Sequence, residues 1–341
     1  MDLQLTDEQT WLAESVAELI ARTWGDDGLV AGDSGPALWD ALVEFGALET
    51  DALGAVELAL VARALGERLT AVPFTGSAAL RYALSDDAGL AASATVAVAL
   101  SEPGRSFAPT DPSTTFDGTR VTGEKAHVAF AAQAEQLVLP ASGADGAQVV
   151  LVASAESGVQ IDAEATLDTS LGLARVRLDA ATARGLPVDL ERLAAAAAVL
   201  ASAEAVGAAS ALLAGAVEYA GRRRQFGRAI GSFQAIRHLL ADLVVQVEAS
   251  WSSVLYSAAA LDEREPGSLQ NASVTKAWSS RATLDGAHGA LQVFGGVAFT
   301  AEHAAHRFLR RIAALGCLYG TAAEHERALG QRIANRLEVT T

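Results

Sequence analysis

The amino-acid sequence predicts a mainly α-helical protein with a β domain in its middle. Apolar residues recur at helical spacing in the first 90 residues and again after residue 188, whereas residues 94–182 carry short apolar runs separated by turn signals. No proline interrupts the stretch from Leu190 to Gly221, which consists almost entirely of good helix formers. We therefore predict an N-terminal helical domain over 1–92, a middle β domain over 93–186 and a C-terminal helical bundle over 187–341.

The N-terminal domain carries recognisable helix start and stop signals. Ser34 and Pro36 are typical of the start of a helix. Residues 54–69 continue the helical pattern until Pro73, which breaks it. The helix that follows Ser34 is expected to be amphipathic, because apolar residues recur on one side of it, namely Leu38, Trp39, Leu42 and Phe45.

The middle domain has the pattern of a series of short strands. Asp117-Gly118 is a typical hairpin turn, and the segment from Phe116 to Val121 surrounds it. Turn signals recur about every ten residues, which predicts a small barrel or sandwich. The other predicted strands are Thr95–Leu100, Gln136–Pro140, Val149–Ala153 and Ala174–Leu178.

The C-terminal region has the pattern of several long helices. After the helix over 190–221, apolar residues recur at helical spacing from Phe233 to Val247. Pro266-Gly267 marks a turn between helices, because neither residue favours a helix interior. Residues 270–290 and 301–316 each predict one further helix.

Composition narrows the class of protein and its surroundings. The net charge of −16 argues against nucleic acid as a partner, since phosphate contacts need a basic surface. No uninterrupted apolar run reaches about 18 residues, so we expect no membrane span. The acidic N-terminus lacks the regions of a signal peptide, and the single cysteine, Cys317, fits a reducing compartment, which together predict a cytoplasmic protein. The six histidines are scattered without ligand spacing, so we expect no metal site.

Two distant segments carry the strongest functional signal. The first runs from Arg223 to Gln234 and opens with a dense arginine cluster, and the second runs from Gln292 to Thr300 around Gly295-Gly296. An arginine offers a fixed fork of donors to a pyrophosphate, and paired glycines let a backbone approach a cofactor closely. A segment of either kind is usually a solvated turn. The two together, in this order and at this separation, indicate a cofactor-binding function.

The residues from Tyr219 to Asp242 resemble the acyl-CoA dehydrogenase motif Y-A-x-x-R-x-Q-F-G-x-x-I-x-x-F-Q-x-x-x-H-x-x-A-D, and the segment after Gln292 is similar to a later motif of that family. The resemblance covers nearly the whole chain. It implies the acyl-CoA dehydrogenase fold, with an N-terminal helical domain, a middle β-barrel and a C-terminal four-helix bundle. In that family these segments reach across a subunit interface to an FAD held mainly by the neighbour. The resemblance therefore implies contacts to FAD from Arg223, Gln225, Phe226, Ile230, Phe233, Gln292, Gly295 and Gly296.

The catalytic base of the family has no clear counterpart in this chain. The family's chemistry is α,β-dehydrogenation of an acyl-CoA, and its base is usually the glutamate of an E-G-T triplet, where this chain has Tyr319-Gly320-Thr321. Tyrosine has a reference pKa near 10 and is a poor base at neutral pH. Some members place the base 26 residues before the motif arginine, which is Ala197 here, and the nearest acid is Glu191. We therefore expect no catalytic base in this chain, with Glu191 as the alternative.

Residues that would build this chain's own flavin and substrate site also depart from the family pattern. Ser101-Glu102-Pro103-Gly104 keeps the start of the family's T-E-P-x-x-G-S-D motif, but Arg105-Ser106-Phe107 replaces the rest. His127-Val128-Ala129 stands where the family's W-I-T covers the flavin ring. The L-P-E-x-x-G-G segment, which helps to line the acyl pocket, is predicted to be deleted between Leu48 and Gly54.

Three hypotheses follow from the resemblance and the departures. The leading one is a non-catalytic subunit that completes the FAD site of a paralogous catalytic acyl-CoA dehydrogenase subunit in an α2β2 complex. Its substrate would be an acyl-CoA, as in the paired enzymes that act on steroid side chains, and an electron-transferring flavoprotein is a possible acceptor. The second hypothesis is a self-sufficient homo-oligomeric flavoenzyme with a base such as Glu191. The third is a scaffold subunit without enzymatic function.

Overall fold

The computed structural model describes residues 3–24, 34–49, 53–84, 90–91 and 93–339. Along these residues, helices are followed by strands and then by helices again, which confirms the predicted fold class. The predicted deletion between Leu48 and Gly54, and the first domain boundary at residue 92, involve positions outside the described residues. The boundaries of the three domains stay a prediction.

The N-terminal part of the described chain consists of four helices. The second begins at Ser34, where the start signals placed it, and the fourth follows directly after Pro73. The first helix buries Val16 and Ile20, which lie four residues apart and so share one face. The helices are α1 (Asp7–Trp24), α2 (Ser34–Glu44), α3 (Ala55–Glu67) and α4 (Phe74–Ala83).

The start of α3 is tied to the C-terminal part of the chain by a carboxylate. The backbone N–H groups of Ala55 and Val56 donate to the two oxygens of Asp262, at 2.8 and 3.2 Å. Glu57 folds back to accept from the N–H of Gly54 at 2.9 Å. These bonds satisfy donors that a helix start leaves unpaired, so α3 is held against the end of a distant helix.

The middle part forms one eight-stranded sheet with strand order β6-β7-β3-β2-β4-β5-β8, in which β1 pairs in parallel with β4. The predicted hairpin is present, since β2 and β3 pair antiparallel on either side of Asp117-Gly118. The short strands β6 and β8 were not predicted, because their residues are half-buried or exposed, apart from Leu186, and show no apolar run. The strands are β1 (Val96–Val98), β2 (Thr115–Phe116), β3 (Arg120–Val128), β4 (Gln136–Gly143), β5 (Gly146–Ala153), β6 (Val159–Ala163), β7 (Ala174–Thr182) and β8 (Arg184–Leu186).

The central strands of this sheet are buried on both faces. In β4, Leu137 and Leu139 belong to an apolar core of the β domain itself, whereas Val138 belongs to the core that the helices share. In β5, Val150 belongs to the core of the β domain and Val149 to the core that the helices share. Alternate side chains of a strand point to opposite faces, so a continuous apolar run fits a sheet that is covered on both sides.

The C-terminal part is organised around one long central helix. α5 (Leu190–Arg222) packs against α3, α4, α6, α7 and α8. Its contact with α3 depends on glycine, because a Cβ on Gly66 or Gly207 would lie 2.0 Å from a backbone oxygen of the other helix. The later helices are α6 (Gln234–Asp262), α7 (Ser268–Phe294), α8 (Ala305–Cys317) and α9 (Ala322–Val339).

The same central helix is long and apolar enough to cross a membrane by length and composition alone. Its most apolar window has a mean hydropathy of 1.7, and 89% of that window is buried inside the protein. The buried core helix of a globular domain passes the same test, so this helix is weak evidence for a membrane span.

Candidate functional site

The first predicted cofactor segment forms an exposed hairpin directly after α5. Strands β9 (Arg224–Gln225) and β10 (Arg228–Ala229) pair antiparallel, with Phe226 and Gly227 as the two turn residues. Both turn residues have positive φ, 51° and 78°, which defines the turn that suits a two-residue hairpin. The turn places Phe226 at the tip with 92% of its surface exposed.

Aromatic and cationic contacts support the hairpin from below. The Phe226 and Phe233 rings meet edge to face with centroids 6.1 Å apart. The guanidinium of Arg228 lies over the Phe233 ring at 4.0 Å, close enough for a cation–π interaction. The partly buried Ile230 starts a short 3-10 turn, and its N–H donates to the carbonyl of Arg223 at 2.7 Å. The Phe233 ring therefore contacts both Phe226 and Arg228, whereas Ile230 packs against the core of the helices.

Arg223 presents a guanidinium that its surroundings leave available. Its backbone is fixed, because its N–H donates to the carbonyl of Tyr219 at 2.8 Å. Its neighbours are engaged, with Arg222 paired to Glu218 at 2.6 Å and Arg224 donating to the carbonyl of Gly227 at 3.2 Å. No residue in the described part of the chain accepts a hydrogen bond from the guanidinium of Arg223. A fixed backbone with an available fork suits the binding of a phosphate from outside this chain.

The second predicted segment lies at the end of α7. Gln292 is exposed, and Gly295 ends the helix with φ 68° and ψ −148°, a combination that strongly favours glycine. A Cβ on Gly295 or Gly296 would meet no atom of the described residues within 4 Å. The backbone here therefore faces open space, and at Gly296 no contact within the described chain explains the absence of a side chain.

The two segments are joined by an aromatic contact. Phe294, which precedes Gly295, packs against Tyr219 with ring centroids 5.3 Å apart and against His303 at 4.5 Å. Tyr219 lies one turn before Arg223 on α5. The structure thus brings the end of α5, which leads into the hairpin, next to the end of α7. Phe299, five residues after the end of α7, is 72% exposed.

The position expected for the family's base holds a buried tyrosine. Tyr319 has φ 58°, and its hydroxyl lies 3.2 Å from the place where a Cβ on Gly76 would stand. Burial raises the pKa of Tyr319 above its ordinary value, and the nearby carboxylate of Glu204 raises it further. This side chain points into the core, and an even smaller fraction of it is phenolate at neutral pH than in a solvated tyrosine, so it is not available there as a base.

The alternative base, Glu191, lies on the surface. It occupies the first turn of α5, where the positive end of the helix dipole stabilises a carboxylate. It also pairs with Arg332 at 3.8 Å. Both side chains are about half exposed. Glu191 opens on a groove of about 300 Å³ between the starts of α5 and α7 and the helix α9, which we call the helical groove.

A larger cavity, which we call the interdomain cleft, lies between the β domain and the C-terminal helices. Its volume is about 540 Å³, and its walls come from the Ser101–Phe107 segment, the loop between β6 and β7, the end of α8 and the start of α9. Its carboxylates are already bound. Glu102 accepts from Lys125 at 2.7 Å and from Ser113 and Thr114.

Two side-chain pairs, Lys125–Glu102 and His127–Glu164, lie on the β side of the interdomain cleft. Burial lowers the pKa of Lys125 to about 8 although Glu102 opposes that change. Burial also acts to raise the pKa of Glu102, but hydrogen bonds from Lys125 and Ser113 outweigh it and hold that pKa far below its ordinary value. His127, at the position of the family's ring-covering tryptophan, is turned to Glu164 with Nδ1 2.7 Å from a carboxylate oxygen.

A buried arginine that was not predicted as a functional residue joins the three parts of the fold. Arg311 on α8 is 1% exposed, and it donates to Asp168 at 2.7 Å and to Glu204 at 2.9 Å. It also donates to the carbonyl of Thr70 at 2.8 Å and to the hydroxyl of Ser170 at 2.6 Å. Its position on the apolar face of α8, between Phe308 and Leu315, was the available signal.

The two regions of the molecule differ in how well they fit FAD. The exposed hairpin, the available Arg223 and the open Gly295-Gly296 backbone fit one side of a dinucleotide site. The interdomain cleft fits a flavin ring poorly, because Phe107 stands in the segment that replaces the rest of the family's T-E-P-x-x-G-S-D motif, and the His127–Glu164 pair stands where W-I-T would cover the ring. Within the described residues, no group of three or more His, Cys, Asp or Glu side chains could hold a metal ion.

Comparisons with known proteins agree with this fold and these segments. The profile of the family described as "Acyl-CoA dehydrogenase, C-terminal domain" matches residues 183–334. Acyl-CoA dehydrogenase IpdE2 of Mycobacterium tuberculosis is 32% identical over 323 residues, which cover 89% of this chain and 91% of that protein. The chain therefore belongs to the acyl-CoA dehydrogenase family.

Other similar proteins match over different extents. Acyl-CoA dehydrogenase FadE34 of Mycobacterium tuberculosis is 38% identical over 154 residues, which cover 45% of this chain and only 22% of FadE34. Among solved structures, a chain of the ChsE4-ChsE5 complex from Mycobacterium tuberculosis superposes with a TM-score of 0.85 at 26% identity, covering 98% of this chain and 99% of that one. A chain of the Tcur3481-Tcur3483 steroid ACAD G363A variant superposes equally well, at 24% identity and with 97% and 99% coverage, which shows the shared fold.

Proposed function

We propose that this chain is the non-catalytic subunit of a hetero-oligomeric, FAD-dependent acyl-CoA dehydrogenase. The observation that carries the proposal is a contrast within one molecule. The side chains that would reach a neighbour's cofactor, above all Arg223, are exposed and available, whereas the position of this chain's own base holds the buried Tyr319.

In this proposal the chain's residues bind and orient a cofactor that the partner subunit holds. Arg223 would donate to the pyrophosphate, Gln292 would bond a polar edge of the cofactor, and the backbone at Gly295-Gly296 would lie directly against it. Phe226 would insert its apolar ring between the two subunits. When bound, FAD supplies the acceptor for the hydride that leaves the β-carbon of the acyl-CoA. The base that removes the α-proton would come from the partner.

The similar proteins support a paired assembly and suggest a substrate class. One similar structure is a ChsE4-ChsE5 complex and another is described as a steroid ACAD. We propose a paralogous catalytic subunit as the partner, in an α2β2 complex, with an acyl-CoA as the substrate and a steroid side-chain CoA as the first one to assay. We further propose a cytoplasmic location, and an electron-transferring flavoprotein as the acceptor to test.

The decisive experiment measures the flavin content of the complex with Arg223 changed. The chain is co-expressed with a paralogue that has an intact base, and FAD is quantified after size-exclusion chromatography. The wild-type complex should hold about one FAD per heterodimer. Arg223→Ala should weaken FAD retention about tenfold or more, because charge-assisted hydrogen bonds to the pyrophosphate are lost.

Arg222→Ala is the matched control, since Arg222 is the adjacent arginine and is already paired with Glu218. It should leave FAD retention unchanged. Equal FAD retention and turnover in the Arg223→Ala and wild-type complexes would favour a scaffold instead. Stoichiometric FAD and acyl-CoA oxidation by this chain alone would contradict the proposal and favour the self-sufficient enzyme.

A further inference from the structure

A further cavity lies against α8 on the side of the N-terminal helices, and we call it the α8 cavity. Its volume is about 260 Å³, and its walls come from the end of α1, the segment between α3 and α4, the loop between β6 and β7, and α8. Three arginines of α8 line it, namely Arg307, Arg310 and Arg311. The contacts to FAD proposed for this chain use none of these three arginines.

Two of these three arginines have no partner within the described residues. The guanidinium of Arg311 donates to the carboxylates of Asp168 and Glu204. Arg307 is half-buried and Arg310 is exposed, and no described residue accepts a hydrogen bond from either guanidinium or forms an ion pair with it. Because Arg307 and Arg310 lie three positions apart on α8, their side chains share one face of the helix. Two cationic groups without a partner in the described chain therefore open on one cavity.

The charges of Arg307 and Arg310 destabilise the protein unless an anion balances them. Like charges on one helix face repel each other, and Arg307 stands in the first turn of α8, where the positive end of the helix dipole also disfavours a cation. Asp168 lines the cavity too, but its carboxylate already accepts from Arg311 at 2.7 Å and from the backbone N–H of Ser170 at 2.9 Å. The chain has 41 acidic residues against 25 lysines and arginines, so a lack of acids does not explain the unbalanced pair.

The charge and the size of the α8 cavity suit a phosphate group. A phosphate group carries nearly two negative charges at neutral pH, which matches the two unbalanced guanidinium groups, whereas a carboxylate would balance only one of them. Each guanidinium offers a fork of donors that fits phosphate oxygens. Thr169 lines the cavity at its exposed rim and adds a hydroxyl. A volume of about 260 Å³ holds several water molecules at about 30 Å³ each, so a phosphate group can enter in their place.

We propose that the α8 cavity is a phosphate-binding site in which Arg307 and Arg310 together hold one dianionic phosphate group. The bound phosphate would also accept from the Thr169 hydroxyl, and so join α8 to the loop between β6 and β7. Arg310 and Leu167 line the interdomain cleft as well. The phosphate is therefore either free or the anionic end of an organic phosphate whose apolar part lies in that cleft.

Calorimetric titration of the full-length chain with inorganic phosphate tests this site. The titration uses the Arg223→Ala chain, because Arg223 is the residue proposed to bind the pyrophosphate of FAD. One phosphate should bind per chain, and acetate at the same ionic strength should bind at least about tenfold more weakly, since a monoanion balances one of the two charges. Phenyl phosphate adds an apolar ring. Binding about fivefold or more tighter than that of phosphate identifies an organic phosphate as the ligand, and equal binding identifies free phosphate.

Arg307→Gln and Arg310→Gln, each in the same chain, should weaken phosphate binding about tenfold or more, because charge-assisted hydrogen bonds are lost. Arg327→Gln is the matched control and should leave the affinity unchanged, since Arg327 is an exposed arginine of α9 outside the α8 cavity. The melting temperature without phosphate checks that each variant folds.

Three results would overturn the phosphate site: no saturable binding of phosphate, equal binding of acetate, or an unchanged affinity in both Arg307→Gln and Arg310→Gln. The titration does not depend on FAD or on a partner subunit, whereas the test of the proposed function depends on both. The phosphate site and the proposed function can therefore fail separately.

Discussion

Phe226 carries a conformational cost that its own chain does not explain. It is a bulky residue with φ 51°, and its ring is 92% exposed. Asparagine tolerates this backbone region far better, and Asn-Gly is the preferred pair for this turn. We therefore expect Phe226→Asn to raise the free energy of unfolding of this chain by about 1 kcal/mol, and to reduce FAD retention by the complex.

Urea denaturation of the chain and FAD content of the complex are the two measurements for Phe226→Asn. Val245→Asn is the control, because Val245 is also an exposed apolar residue but lies on α6 away from the hairpin. It should leave FAD retention unchanged. A Phe226→Asn chain that is less stable than the wild type, or a complex that keeps all its FAD, would contradict the prediction.

Two single residues decide whether this chain supplies a base. Glu191 is half exposed and paired with Arg332, and Tyr319 is buried with its pKa raised by desolvation. We expect Glu191→Ala and Tyr319→Phe each to leave the turnover of the assembled complex within about twofold of the wild type, since neither side chain is placed to remove a proton. Steady-state acyl-CoA oxidation is the measurement, and a loss of about a hundredfold in either variant would restore that residue as the base.

At the scale of elements, a buried lysine joins α7 to the end of α8. Lys276 is 1% exposed and donates to the carbonyl of Leu315. Burial lowers the pKa of Lys276 from 10.5 to about 7. Between these two values the unfolded chain binds the proton and the folded chain does not, so this residue makes stability rise with pH from about 7 to 10.5. Below that range both states are protonated, and the penalty for burying the charge is complete.

Lys276→Met should remove this dependence while keeping most of the buried volume. The stability of the variant relative to the wild type should be highest near neutral pH and should fall by more than about 1 kcal/mol toward pH 9.5. Urea denaturation at several pH values measures the difference. A difference that stays constant with pH would show that Lys276 is not the titrating group.

An element could be predicted from the sequence when residues close to it along the chain determine it. The helix over 190–221 was predicted to within one residue, because no proline interrupts its good helix formers and Asp189 caps its start. The strand β6 was missed because its residues are half exposed and lie at the edge of the sheet. In the site, the hairpin follows from neighbouring residues, whereas the bond from Phe107 to Glu324 spans 217 residues and no sequence pattern predicts it.

The whole molecule is joined at one point by Arg311. Its guanidinium binds Asp168 from the β domain, Glu204 from α5 and the carbonyl of Thr70 before α4. Burial raises the pKa of Glu204, and the charge of Arg311 opposes that rise. Removing only the arginine would leave two buried carboxylates without their cation, which is costlier than removing the whole charged cluster.

Arg311→Met should therefore lower the free energy of unfolding by about 3–5 kcal/mol, because the carboxylates of Asp168 and Glu204 stay buried and unpaired. The loss should also weaken the coupling between the parts of the fold, so that urea denaturation followed by circular dichroism and by tryptophan fluorescence gives two transitions instead of one. The triple variant Arg311→Met, Asp168→Asn, Glu204→Gln should recover about half or more of the lost free energy of unfolding, since no buried carboxylate is left without a cation. If Arg311→Met unfolds in a single transition within about 1 kcal/mol of the wild type, the buried cluster does not join the domains, and other contacts between them, such as the apolar packing of α5, hold them together.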